Sequence, residues 1–160
     1  MFLLLGLAFS ACSQQSFEQK LQSLYSNTVP RMQPSELYQK LEKNPDSFYV
    51  LDSRAKEEYQ ISHIPNANWV GYKNRQKEKL KDIPREATLV LYCSVGYRSE
   101  KVGEDLLESG FQEVYNLHGS IFKWKNQGYP VYNTAGKPTD SIHTYSKKWS
   151  QWLKKGTAIY

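Results

Sequence analysis

Two short apolar segments limit the folds available to this chain more than any other feature of its sequence. Residues 48–51 and 88–92 are rich in strand-forming side chains, and neither segment alternates between apolar and polar positions. Continuous apolar runs of this length are typical of strands inside a parallel sheet that is covered on both faces. The first run stops at Asp52 and the second at Cys93.

Helical segments separate these two strands from weaker ones. Apolar side chains recur at helical spacing over 17–26, 34–44 and 99–109, with a further short helix around 121–124. A further strand is predicted over 114–117, and a weaker strand pattern covers 66–70. Strands that alternate with helices require right-handed crossovers, which place helices on both faces of the sheet. The sequence therefore predicts an α/β fold of three layers, with a central and mainly parallel sheet flanked by helices.

Bulk composition fits this fold but does not choose a function. A chain of 160 residues with 39% hydrophobic residues is long enough for one domain with an ordinary core. Its net charge of +5 suits anionic small molecules, lipid surfaces or nucleic acid. The Lys and Arg residues follow no nucleic-acid-binding motif, and the three histidines have no metal-ligand spacing. We expect no metal and no nucleic-acid partner.

The N-terminal residues resemble a bacterial lipoprotein signal. An apolar run over 2–9 is followed by Ser10, Ala11 and Cys12, and a polar stretch over 13–16 comes next. This pattern predicts a signal peptide over 1–11, a tether over 12–16 lipidated at Cys12, and a place in the bacterial cell envelope facing the periplasm. Ser13 in place of aspartate favours the outer membrane over the inner one. Alternatively, 1–11 is an ordinary buried segment.

Chemically useful residues follow both main strands. Ligands of open parallel sheets bind beyond the carboxyl ends of the strands, so Cys93 and the segment 52–54 are expected to share one site. Residues 93–98, the cysteine loop, lead into a helix. Backbone N–H groups of such a loop, the helix N-terminus and the Arg98 guanidinium favour an anion, and a thiol in that setting is stabilised as the thiolate. Gly96 allows a tight backbone turn. The loop backbone at Val95 and the hydroxyl groups nearby complete the expected substrate-binding residues, which are Ser94, Val95, Gly96, Tyr97, Arg98 and Ser99.

These residues and others resemble the rhodanese family over about 29–131. The pattern Cys93-x-x-Gly96-x-Arg98-Ser99 is similar to the family's active-site loop. Three further motifs occur in the family's order: Asp52-x-Arg54, Glu58-Tyr59 and His63-Ile64-Pro65-x-Ala67. Gly110-Phe111, Leu117-x-Gly119 and Trp124 are similar to its closing segment. Ser62, Asn66 and His118 depart from it, because glycine is usual at each position.

The resemblance implies a rhodanese-like domain over 17–131, with its core over 29–131. It also implies a sulfurtransferase in which Cys93 takes sulfur from a small anionic donor such as thiosulfate, forms a persulfide and passes the sulfur to a thiophilic acceptor. No cofactor is implied beyond this covalent sulfur. Supporting roles fall to Asp52, Arg54 and His63, while His118 is expected to influence substrate preference.

Two other functions compete with an active sulfurtransferase. One is a membrane-anchored sulfur carrier or binding module with little turnover. The other is a phosphatase or arsenate reductase. Related phosphatases have a loop one residue longer than the six residues from Cys93 to Arg98, so the shorter loop favours sulfur.

The C-terminal extension over 132–160 is aromatic and basic. Ile142, Tyr145, Trp149, Trp152 and Leu153 would share one face of a helix. We predict that this helix packs onto its own domain, the alternative being that it lies on a membrane surface.

Overall fold

The computed structural model describes residues 15–73 and 75–160. Cys12 and the predicted signal peptide lie outside these residues. The helices are α1 (Phe17–Leu24), α2 (Pro34–Lys43), α3 (Lys56–Ile61), α4 (Tyr97–Glu108), α5 (Ser120–Asn126) and α6 (Lys147–Ser150). The strands are β1 (Arg31–Met32), β2 (Phe48–Asp52), β3 (Ala67–Trp69), β4 (Thr88–Tyr92), β5 (Glu113–Leu117), β6 (Val131–Tyr132), β7 (Pro138–Thr139), β8 (Ser141–His143) and β9 (Thr157–Ile159).

A five-stranded parallel sheet in the order β1-β5-β4-β2-β3 forms the centre of the molecule. One buried cluster on it includes Leu37 and Trp124, and a second includes Leu51 and Val102. The predicted α/β fold with a mainly parallel sheet and flanking helices is confirmed. β2 and β4 pair in register, with Asp52 opposite Tyr92, so the residues that follow both strands meet at one edge of the sheet.

Differences from the predicted elements are small within the sheet. The predicted strand over 88–92 agrees with β4, and that over 114–117 is one residue longer in β5. The two-residue strand β1 has no sequence signal, because Pro30 and Pro34 flank it, and it forms only by pairing with β5. Helix α4 begins at Tyr97 rather than at Ser99, so Arg98 lies in its first turn.

The predicted helix over the C-terminal segment is wrong. This segment instead pairs β8 with β9 in parallel and holds only the one-turn helix α6 between them. Tyr145 interrupts the helical pattern because its backbone has a φ of 65°. The segment nevertheless packs on the domain: Ile142 and Trp152 are buried in the same cluster as Leu37. The ring of Phe17 in α1 stacks on Trp152 with 5.6 Å between ring centroids, which joins the two ends of the described chain.

Backbone conformation explains two of the departures from the family pattern. Asn66 has a φ of 60°, in the left-handed region that glycine favours and that asparagine tolerates better than most residues. Ser62 has a φ of −166°, which is extended backbone open to any residue. Both turns therefore keep their shape without glycine.

Candidate active site

Cys93 directly follows β4 at the edge of the sheet where Asp52 ends β2. The chain then turns sharply at Gly96, whose φ is 113°, and enters α4 at Tyr97. A Cβ at position 96 would lie 2.3 Å from Tyr25 Oη, which is too close for any side chain to fit without displacing that ring. Glycine is required here both by backbone conformation and by space.

The carbonyl groups of the cysteine loop are held from outside the loop. Those of Cys93 and Ser94 accept hydrogen bonds from the backbone N–H groups of Ile121 and Phe122, each at 3.2 Å, in the first turn of α5. Those of Val95 and Gly96 are held by side chains. Tyr25 Oη donates to Val95 O at 2.5 Å, and Asn116 Nδ2 donates to Gly96 O at 2.9 Å.

This arrangement turns N–H groups of the loop toward the sulfur. A peptide unit is planar and trans, so its C=O and N–H point in opposite directions. The unit between Val95 and Gly96 shows the result, since its carbonyl binds Tyr25 while its N–H donates to Cys93 Sγ at 3.1 Å. Tyr25 therefore orients the donor that contacts the sulfur, a role for which its sequence position gave no signal.

Electrostatics at the loop favour the thiolate. Burial on its own raises the pKa of the Cys93 thiol. The positive charge of Arg98 and hydrogen bonds from the backbone N–H groups of Ser99 and Gly96 outweigh burial, and the pKa is lowered below its ordinary value. A lowered pKa raises the fraction of the nucleophilic form at neutral pH.

Glu58 holds Arg98 in place beside the cysteine. Arg98 Nη1 donates to Glu58 Oε2 at 2.6 Å, and Nη2 donates to Glu58 Oε1 at 2.9 Å and to Ser94 Oγ at 3.0 Å. Burial tends to raise the pKa of Glu58, but the paired guanidinium lowers it below its usual range. Within the described residues these contacts use three of the five N–H donors of a guanidinium. Glu58 lies in the Glu58-Tyr59 motif, but the motif predicted no role for it.

Asp52 and Arg54 form a buried ion pair behind the site. Arg54 Nη2 lies 2.7 Å from Asp52 Oδ2, and both side chains are fully buried. The same Nη2 donates to Ser62 O at 2.6 Å, which fixes the end of α3. This geometry fits the bracing role predicted for both residues.

The two predicted histidines lie away from the cysteine loop. His63 stacks on Tyr59 and hydrogen bonds to its carbonyl through Nδ1, at the edge of the domain near β6. His118 pairs with Glu18 Oε2 at 2.8 Å and meets the ring of Tyr25 edge-on. Burial lowers the pKa of His118, although Glu18 opposes this effect. His118 thus contacts Tyr25, which in turn bonds to the cysteine loop.

A cavity of about 540 Å³ opens above Cys93. Its floor includes Cys93, Ser94, Val95 and Arg98, and Tyr97 stands at its rim. Apolar and aromatic side chains form most of the remaining wall together with one lysine; these are Leu24, Tyr72, Lys73, Tyr145 and Trp149. Ser99 was predicted to bind substrate, but it does not line this cavity, since it is fully buried and its hydroxyl donates to Asn116 Oδ1 at 2.7 Å.

Within residues 15–73 and 75–160, no group of three or more His, Cys, Asp or Glu side chains is arranged to hold a metal ion. No helix in that part of the chain has the length and apolar character needed to cross a membrane.

Comparison with known proteins gives a family and a fold. A model of the rhodanese-like domain matches residues 33–127. The chain is 35% identical over 101 residues to a tRNA uridine(34) hydroxylase from Cytophaga hutchinsonii, covering 61% of this chain and 32% of that protein. The chain thus spans about a third of the length of this curated relative.

Solved structures share the fold at low identity. The rhodanese-like domain of an Anabaena protein superposes with a TM-score of 0.60 and 22% identity, covering 65% of this chain and 79% of that one. The polysulfide-sulfur transferase homodimer from Wolinella succinogenes gives a TM-score of 0.58 and 22% identity, covering 74% of this chain and 88% of that one.

Proposed function

Because this chain belongs to the rhodanese-like domain family, we propose that it is a sulfurtransferase in which Cys93 carries sulfur as a persulfide. The donor is a small anionic sulfur compound such as thiosulfate, and the acceptor is a thiophile such as cyanide or a thiol. The observation that supports this most strongly is the geometry of a buried cysteine whose sulfur accepts a backbone N–H bond from its own loop beside the Arg98 guanidinium, a setting that lowers its pKa. The curated relative is named for hydroxylation of a tRNA uridine and not for sulfur transfer. Both the transfer of sulfur and its donor are therefore part of the proposal.

The first half-reaction is an attack of the thiolate on the donor. Cys93 Sγ forms a bond to the outer sulfur of thiosulfate, the sulfur–sulfur bond of thiosulfate breaks, and sulfite leaves with its electron pair. The enzyme then holds a persulfide anion, and the N–H groups of the cysteine loop are placed to stabilise its terminal sulfur. Arg98 and Lys73 attract the anionic donor to the cavity.

The second half-reaction releases the sulfur. Cyanide attacks the terminal sulfur of the persulfide, thiocyanate leaves, and the Cys93 thiolate is restored. Splitting the transfer in this way replaces one difficult step by two easier ones, and the sulfur is held covalently without a cofactor. Among the described residues Cys93 is the single cysteine, so the acceptor is expected to come from outside this part of the chain.

Intact mass spectrometry tests the proposal. Thiosulfate treatment should add the mass of one sulfur atom to the protein, and later cyanide treatment should remove it. Cys93→Ser should abolish the gain, whereas Cys12→Ala should retain it. A gain that persists in Cys93→Ser would refute the proposed carrier.

Turnover measurements separate the competing functions. An active enzyme should form thiocyanate from thiosulfate and cyanide over many cycles. A sulfur carrier would become loaded but turn over slowly, and a phosphatase would instead hydrolyse an aryl phosphate.

The lipid anchor at Cys12 and the envelope location remain predictions from the sequence. Metabolic labelling with a fatty acid tests them, because Cys12→Ala should abolish the label. Labelling that survives this change would contradict the anchor.

A further inference from the structure

Three of the residues that line the cavity above Cys93 lie outside the segment that matches the family model. That segment ends at residue 127, and it begins at residue 33. Leu24 from the end of α1 lines the cavity from one side, and Tyr145 and Trp149 from the C-terminal segment line it from another. These three side chains are therefore additions to the cavity wall that the family segment provides.

The cavity is larger and more apolar than thiosulfate alone requires. A volume of about 540 Å³ falls within the range of sites that enclose drug-sized molecules. Much of its wall is apolar or aromatic, whereas thiosulfate is a small, strongly hydrated dianion. The positive groups in the lining are Arg98 at the cysteine and Lys73. Such a site suits a molecule with an anionic end and an apolar body.

Tyr145 is held over the reactive end of this cavity in a strained conformation. Its φ is 65°, which is uncommon for an aromatic residue, and its N–H donates to His143 Nδ1 at 3.1 Å to hold the turn. The residue is 63% exposed, so core packing does not account for its position. Its ring lies 5.5 Å from the guanidinium carbon of Arg98. Strain that persists without a packing reason is characteristic of functional positions.

We propose that Tyr145 and Trp149 make this site selective for an organic thiosulfonate, R–SO₂–S⁻, in which R is an aromatic group. The anionic sulfur would lie at Cys93 between the loop N–H groups and Arg98, and R would lie against the two aromatic side chains. This inference rests on the proposed sulfur transfer and specifies its donor.

The chemistry is the same displacement with a different leaving group. The Cys93 thiolate bonds to the terminal sulfur of the thiosulfonate, and the bond between that sulfur and the sulfonyl sulfur breaks. The sulfinate R–SO₂⁻ leaves with the electron pair, and Cys93 becomes a persulfide anion. One negative charge enters with the donor and one leaves with the sulfinate, so no oxidant or reductant is needed.

Two probes that differ only in R isolate the effect of the cavity wall. Sulfur loading is measured with benzenethiosulfonate and with methanethiosulfonate, and kcat/KM for the first is divided by that for the second. Any effect on the shared thiosulfonate group cancels in this ratio. We expect a ratio well above one, which Tyr145→Asn and Trp149→Ala each lower by about three- to tenfold through loss of a ring contact.

Matched variants control for folding and for the tyrosine hydroxyl. Asparagine tolerates the left-handed backbone at position 145, so Tyr145→Asn keeps the turn. Tyr145→Phe keeps the ring and should keep the ratio. Tyr160→Asn changes a tyrosine that is 64% exposed and does not line the cavity, so it should leave the ratio unchanged.

The outcomes separate this inference from the proposed function. If both probes load Cys93 but the ratio is the same in wild type, Tyr145→Asn and Trp149→Ala, the selectivity is refuted while sulfur transfer stands. If neither probe nor thiosulfate adds sulfur to Cys93, the proposed function itself fails.

Discussion

Tyr25→Phe removes one oxygen atom from beneath the cysteine loop and leaves the aromatic ring in place. The hydroxyl donates to Val95 O at 2.5 Å and accepts from the N–H of Gly119 at 2.9 Å. Burial raises the pKa of Tyr25, so the hydroxyl stays protonated and keeps its donor role. The ring still fills the space against Gly96, and the variant therefore isolates the two hydrogen bonds.

Tyr25→Phe is expected to lower both the free energy of unfolding and the reactivity of Cys93. Two hydrogen bonds are worth about 2 kcal/mol net, and leaving a buried N–H and a buried C=O without these partners brings the cost to about 2–3 kcal/mol. The peptide unit of Val95 and Gly96 also loses its anchor, so its N–H bonds less well to Cys93 Sγ. Hydrogen bonds to charged groups are worth about 1.5–3 kcal/mol. Weakening this one at the thiolate lowers the thiolate fraction, and the lower end of that range corresponds to about tenfold in alkylation rate at neutral pH.

Two measurements check this. Urea denaturation should show a free energy of unfolding about 2–3 kcal/mol below wild type, and iodoacetamide should alkylate Cys93 about tenfold more slowly. Tyr38→Phe is the matched control, because its ring stacks on Tyr129 and its hydroxyl makes no hydrogen bond within the described part of the chain. An alkylation rate equal to wild type, or an equal stability loss in Tyr38→Phe, would refute the role given to the Tyr25 hydroxyl.

Three further predictions follow from the charges around the site. Because the pKa of Cys93 is lowered, kcat/KM for sulfur loading should rise with pH through a step below the ordinary thiol pKa of about 8.5 and then level off; a step above that value contradicts the lowered pKa. Arg98→Gln removes the positive charge beside Cys93 and leaves the Glu58 carboxylate without its ion-pair partner. The step should therefore move to higher pH, and sulfur loading at neutral pH should fall by about tenfold or more. Arg98→Lys keeps a positive charge and should retain part of the loading rate. Asp52→Asn leaves the buried Arg54 charge uncompensated and should cost about 3–5 kcal/mol of unfolding free energy, which a loss under about 1 kcal/mol would contradict.

The sequence was informative where local pattern and chemistry coincide. The apolar runs before Asp52 and Cys93 identified the two paired strands, because a strand buried on both faces must be apolar throughout. Gly96 and Arg98 could be placed in the turn from β4 into α4 because a turn between a strand and a helix has few backbone solutions.

Contacts between distant segments could not be predicted in the same way. Tyr25 lies 70 residues from Val95, and the helical spacing that placed Tyr25 on an apolar face says nothing of its hydroxyl. The helix predicted for the C-terminal segment was wrong for a related reason. Its aromatic spacing fits a helix, but pairing between β8 and β9 competes with that helix, and such pairing is invisible to local periodicity.

The sequence could have pointed to Asn116 as a residue with a structural role. It is a polar residue within the apolar run 114–117, and a buried amide must find partners for both its oxygen and its nitrogen. The structure gives it both at the same place: Ser99 Oγ donates to its Oδ1, and its Nδ2 donates to Gly96 O. The side chain thereby joins the strand next to β4 to the start of α4.

Both ends of the described chain contact the candidate active site. Tyr25 reaches the cysteine loop from one end, and Tyr145 reaches Arg98 from the other. The stacking of Phe17 on Trp152 links these ends directly, so a shift of α1 would disturb both contacts. A domain reduced to residues 33–127 would keep Cys93, Gly96 and Arg98 but would lose the hydroxyl that orients the Val95–Gly96 peptide. The family segment thus supplies the nucleophile and its charge partner, while the flanking segments fix one of its hydrogen-bond donors and close the cavity above it.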